Sequence, residues 1–179
     1  AMCLSPVSTT TGSTSSRSDN LIGGQRMLII DVEDTEFFNE EDETFSIVSG
    51  PTVMLEHSLI SLSKWESKHN IPFLSSEKTS EQTFDYIKLM IVNDVDPECV
   101  VYFTKEQIDQ IQNYIESAQS ATTFNQMPER SGPKEVVTAE LIYYWMVGFN
   151  IPFECETWHL NKLFSLIRIC NIKQSKQKK

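Results

Sequence analysis

Three histidines, His57, His69 and His159, and four cysteines, Cys3, Cys99, Cys155 and Cys170, are the side chains best suited to chemistry in this chain of 179 residues. None of the histidines lies in an H-E-x-x-H motif, a nucleophile elbow or a phosphate-cradling glycine-rich loop. Those are the settings that give an imidazole a metal, a nucleophile or a substrate to act on. Cys155 and His159 stand four positions apart, so a helix through both would turn them to one side, with Glu156 and Cys170 as further donors. That makes two firm ligands where a zinc site takes four, and the pair is expected to pack instead of binding metal. Glu154 and Glu156 could suggest carboxylate catalysis, but a place in the first turn of a helix explains them through the macrodipole. With no nucleophile at a useful spacing from a base, neither an enzyme nor a cofactor site is expected. The cysteines form no C-x-x-C pair, which argues against a disulfide scaffold or zinc ribbon and fits a reducing compartment.

Aromatic residues are the better functional candidates. Val136, Leu141, Ile142, Tyr144, Trp145, Val147 and Phe149 make the stretch after Glu135 apolar on nearly every side. A helix of that kind hides in a core or against another protein. Tyr143, Tyr144, Trp145 and Trp158, joined by Trp65 and His159, are therefore the candidate partner-binding set. Enclosure in the protein's own core is the alternative for each of them.

The elements that would position these residues can be read from periodicity and punctuation. Leu28 to Val32 and Thr44 to Val48 are β-prone and suggest a hairpin, and Thr52 to Leu55 suggests a third strand. Between the first two, Asp31, Glu33, Asp34, Glu36, Glu40, Glu41, Asp42 and Glu43 occur with no basic residue, so a solvated turn is expected. Glu56 to His69 reads as helix. Thr79-Ser80-Glu81-Gln82 and Thr104-Lys105-Glu106-Gln107 both have capping-box spacing, in which a threonine hydroxyl and a glutamine amide satisfy orphan N–H groups reciprocally. Each opens a further helix, the first running to about Val92. Residues 117–134, punctuated by Pro128, Gly132 and Pro133, read as an exposed loop. A fourth helix ends near Gly148 to Asn150, and a fifth begins around Glu154 and Glu156 and carries Trp158, Leu160, Leu163, Leu166, Ile167 and Cys170 on its apolar side.

One device occurs twice. Trp65 is followed by Asn70-Ile71-Pro72-Phe73, and Trp145, at the same distance, by Asn150-Ile151-Pro152-Phe153. Asn tolerates the left-handed conformation that ends a helix and Pro bars its continuation, so each copy predicts a sharp helix-to-helix corner. The expected architecture is α+β and mostly helical: an N-terminal hairpin or small sheet over about 27–55, then about five helices in one compact domain ending near residue 172. Residues 1–26, rich in Ser, Thr and Gly, are expected to form a flexible leader, either an upstream extension or a non-native remnant, since Met27 resembles a natural start. Residues 173–179 read as a basic tail.

A net charge of −10 repels phosphate backbones, which makes nucleic acid a poor partner. The longest apolar runs fall well short of the roughly 20 residues that span a bilayer, so no membrane segment is expected.

The strings Leu55-Glu56-His57-Ser58-Leu59-Ile60-Ser61-Leu62-Ser63-Lys64-Trp65-Glu66-Ser67, Thr138-Ala139-Glu140-Leu141-Ile142-Tyr143-Tyr144-Trp145-Met146, Asn150-Ile151-Pro152-Phe153-Glu154-Cys155 and Trp158-His159-Leu160-Asn161-Lys162-Leu163 resemble the tail assembly chaperones of long-tailed (siphovirus-type) phages and prophages. The likeness runs from about Met27 to Asn171. It implies a protein that coats the long, helical, aggregation-prone tape measure protein in the cytoplasm of the infected host, meets the tail tube protein as the tube forms, and is absent from the finished virion. Self-association also fits such a coat. The rival readings are a structural tail or connector protein, a metal enzyme at Cys155 and His159, and an acidic inhibitor of a bacterial defence protein.

Overall fold

The structure, a computed structural model, describes residues 21–22, 25–39, 44–123 and 135–177. Among the described residues, six short strands form three antiparallel pairs, and five α-helices follow. The protein is thus α+β and mostly helical. Strand β1 (Leu21–Ile22) pairs with β2 (Gln25–Arg26) inside the segment expected to be a leader; the rest of that segment lies outside the described residues.

The hairpin expected between Leu28–Val32 and Thr44–Val48 does not form. Strand β3 (Leu28–Asp31) pairs instead with β6 (Thr52–Leu55), Leu28 opposite Leu55 and Asp31 opposite Thr52. Strand β4 (Thr35–Asn39) pairs with β5 (Thr44–Val48). Alternation selects a buried face but no partner, and burial decides here: Ile30, Val53 and Leu55 enter the core, whereas Ile47 and Val48 are exposed. The acidic stretch is therefore partly strand. Asp31 accepts from the Thr52 hydroxyl at 2.7 Å and Asp34 from the Gly50 amide at 2.9 Å, while residues 40–43 of that stretch lie outside the described ones.

Helix α1 (Leu59–His69) is capped by Ser58, and α2 (Ser80–Leu89) and α3 (Lys105–Glu116) open with complete capping boxes at Thr79/Gln82 and Thr104/Gln107. Asp96 and Pro97 start a 3-10 turn, Pro97–Tyr102. Helix α4 (Ala139–Gly148) begins three residues after Val136, at a Thr138 cap. Of the expected loop, residues 117–123 are irregular and 124–134 lie outside the described residues. Apolar side chains from β6 and all five helices share one core that includes Leu55, Leu59, Trp65, Met90, Ile111, Ile142, Met146, Leu160 and Leu163.

Both copies of the repeated device end their helix as expected, but only the second leads directly into another helical element, the 3-10 turn Phe153–Thr157, whereas residues 70–79 after the first are turns and irregular chain. Asn70 (φ 56°) and Asn150 (φ 55°) are left-handed and turn the chain out of α1 and α4. Their phenylalanines diverge, because Phe73 is buried against Trp65 and Tyr86 whereas Phe153 is 55% exposed. The last helix starts later than the acidic residues suggest. Glu154 and Glu156 sit in a 3-10 turn, Phe153–Thr157, Trp158 is extended, and α5 (Leu160–Gln177) follows and continues through the basic residues from Lys173.

Candidate functional site

The two stretches 55–67 and 138–163 lie far apart in sequence but meet in space. Ser58 and His159 form an antiparallel bridge, and the Leu160 amide donates to the His57 carbonyl at 2.8 Å. A second tie is Glu66, a buried carboxylate. It accepts from the Phe73 amide at 2.7 Å through Oε1 and from the Ala139 amide at 2.7 Å through Oε2. One carboxylate thus fixes the corner after α1 and neutralises an orphan donor at the N-terminus of α4. That places α4 against α1 and decides which side of α4 faces water.

The inward side of α4 is Ala139, Ile142 and Met146, all fully buried. The outward side, by helical spacing, is Glu140, Tyr144, Val147 and Gly148. Tyr144 is 71% and Val147 64% exposed, and a Cβ placed on Gly148 would meet nothing within 4 Å. Along one edge, the Tyr143 ring stands 6.2 Å from the exposed Phe153 ring, and its hydroxyl donates to Glu156 at 2.8 Å. Burial, aided by that carboxylate, pushes the Tyr143 phenol up to about 12, so it remains a donor at any physiological pH. Helix α4 and the turn after it carry acidic but no basic side chains, namely Glu140, Glu154 and Glu156. The outward face of α4 is therefore a bare apolar strip whose own element carries only acidic charge, with Lys162 of the next helix beside the turn that follows, a surface suited to an amphipathic helix.

The six expected partner-binding residues divide by burial. Tyr144 is open to solvent, and Tyr143, Trp145 and Trp158 are half-buried, with the Lys162 ammonium 4.3 Å over the Trp158 ring. Trp65 and His159 belong to the core and are corrected here. The Trp65 indole is fully enclosed and its N–H donates to the Gln82 carbonyl at 2.9 Å, while His159 is 5% exposed. Phe153 and Val147 join the strip. The sequence signalled Val147 through the over-apolar pattern but gave no reason to separate Phe153 from its buried counterpart Phe73.

The expected Cys155–His159 helical face is absent, since Trp158 interrupts the helix between them. His159 instead caps α5 with its ring. The Asn161 amide donates to Nδ1 at 3.3 Å, which leaves the proton on Nε2, donating to the Tyr114 carbonyl at 2.9 Å. Both nitrogens are occupied. Its ring centroid lies 5.0 Å from that of His57, whose Nδ1 shares a 2.6 Å hydrogen bond with the buried Tyr86 hydroxyl. Burial, with His159 close by, pulls His57 down to about 3, and burial also lowers His159. Nothing in the sequence marks this pair, because its members stand on separate elements. Among the described residues no group of three or more His, Cys, Asp or Glu side chains could hold a metal ion, and no helix is long and apolar enough to cross a membrane.

Comparison with family models, with curated proteins and with solved structures finds no match.

Proposed function

We propose that this protein is a tail assembly chaperone of a long-tailed phage, which binds the tape measure protein in the cytoplasm of the infected host and keeps it soluble while the tail tube assembles. The observation that carries the reading is the outward face of α4. Two large apolar side chains, Tyr144 and Val147, stand in water on a helix otherwise anchored in the core. An exposed apolar strip with a charged border is the feature needed to shelter an amphipathic client helix reversibly. The sequence likeness points the same way, and its strings coincide with the segments that build and hold this face: α1 with Glu66, α4, and the bridge from Ser58 to His159.

Co-expression with the cognate tape measure protein is the test. The soluble yield of that protein should rise, and the two should elute together on size exclusion. No gain in solubility and no complex would refute the reading.

A second reading, a structural tail or connector protein, is favoured by the β4–β5 pair, whose exposed Ile47 and Val48 could join a neighbouring subunit. Mass spectrometry of purified particles separates the two. A chaperone is missing from the virion, and a connector is present in stoichiometric copies.

A further inference from the structure

Where α1 ends and α4 begins, the protein carries a groove of about 540 Å³, lined by Ser67, Asn70 and Pro72 from the first corner, by Thr138 and Glu140 from the start of α4, and by Glu66. Glu66, 8% exposed, is a buried carboxylate without a counter-cation. Each of its oxygens accepts one amide N–H at 2.7 Å and keeps a second acceptor site. Among the described residues no basic side chain forms an ion pair with it: Lys68 and His69, in the last turn of α1, face Asp85 at 2.7 and 3.2 Å, and Lys64 lies toward Glu56. Buried charges are ordinarily paired, so this one points to a cation supplied from outside.

The rest of the groove has the same polarity. The Glu140 carboxylate, the Asn70 carboxamide and the Ser67 hydroxyl are open to water and make no hydrogen bond to other described residues. Left-handed Asn70 ends α1 here, so the negative pole of that helix opens on the groove. The positive pole of α4 is already met, because Glu66 accepts from the Ala139 amide and the Thr138 hydroxyl from that of Leu141. A guanidinium, with five N–H donors in a planar fork, suits such converging acceptors better than a compact, strongly hydrated ammonium. Glu140 also stands one turn before Tyr144, so the groove opens at the N-terminal end of the apolar strip. Tyr144 and Val147 follow about 6 and 10 Å along the axis.

We propose that this groove binds the guanidinium of an arginine on the client helix, placed about one helical turn from the apolar residues that cover Tyr144 and Val147. The inference deepens the chaperone reading and rests on it for the owner of the arginine, but not for the chemistry of the groove. An apolar strip alone accepts any amphipathic helix. The groove adds a polar condition that fixes register, because a helix slid by one turn loses the pair.

Amide chemical shifts of the isotope-labelled full chain, titrated with Nα-acetylarginine amide to about 20 mM, test the groove without a client. The amides of Ser67, Asn70 and Glu140 should move together with a dissociation constant of about 1 mM. Glu140→Gln should weaken binding about fivefold, and Asn70→Gly, which keeps the left-handed corner, about threefold. Circular dichroism should show both variants folded as the parent is. Nα-acetyllysine amide should bind about fivefold more weakly than the arginine compound, and Nα-acetylnorleucine amide should leave these amides unmoved. No shift at the groove, shifts led by another acidic segment such as that of Asp31 and Asp34, a lysine compound that binds as well as the arginine one, or an affinity that neither variant changes would each overturn the proposal. A groove that takes no arginine in a protein that still solubilises its client removes this inference and leaves the chaperone reading intact. Arginine bound in the groove with no gain for the client refutes that reading alone.

Discussion

Lowering the pH from 7.5 to 5 should destabilise this protein through His57. In the folded chain burial holds His57 near pKa 3, against about 6.5 in an unfolded chain. Between those values the unfolded state binds the proton and the folded state does not, so stability is fully present above about 6.5 and is lost as pH falls toward 3. At pH 5 the loss is about 1.5 pH units times 1.36 kcal/mol, or about 2 kcal/mol from His57 alone. His159 adds in the same direction, since burial lowers it as well. Glu56 opposes, because burial raises its carboxyl and acid then favours the folded form. The salt-bridged Asp85 is held below its ordinary value and acts at lower pH. Urea unfolding of the parent and of His57→Gln, at pH 7.5 and pH 5, isolates the term. The variant should lose about 2 kcal/mol less than the parent across that interval. Equal losses in the two proteins would refute the assignment.

The geometry sets the cost of four further substitutions. Glu66→Gln leaves one of two buried amides, Phe73 or Ala139, facing a donor; it should cost about 2 kcal/mol, read as a fall in melting temperature of about 4–8 °C. Gly50→Ala would put a Cβ 2.0 Å from the Val32 carbonyl oxygen and 2.7 Å from that of Glu33, both backbone atoms. A loss of about 3 kcal/mol or more is expected by urea unfolding, and a neutral result would mean that β3 and β6 do not lie as described. The repeated corner gives a paired contrast: Phe73→Ala should cost about 3–5 kcal/mol and Phe153→Ala less than about 1 kcal/mol, because only the first ring is buried.

Local signals were the legible ones. The two Thr-x-x-Gln boxes and the two Asn corners depend on neighbours within four residues, and all four occur where the sequence places them. Strand pairing depends on distant partners. Thr35–Asn39 was hidden because its acidic surroundings read as a turn, although Phe37 and Phe38 supply ordinary strand residues. Glu154 and Glu156 do mark an N-terminus, but of a 3-10 turn, and the real start of α5 is set by the His159 ring, a cap outside the usual Ser, Thr, Asp and Asn.

Of the candidate site, α4 was legible as a helix too apolar to be solvated, and its Tyr144 and Val147 face water. What periodicity left undetermined was which side turns outward. That is decided by Glu66, 73 residues before Ala139, and a contact of such separation leaves no local trace. The same holds for His57 and His159, joined only once the bridge at Ser58 forms.

The proposed client-binding surface is the outward face of α4. Titration calorimetry with the tape measure protein, or its longest soluble helical segment, should show Tyr144→Asp with Val147→Asp weakening binding about 30-fold or more, while the melting temperature of the variant stays within a few degrees of the parent's. Unchanged affinity in that folded double variant would contradict the account.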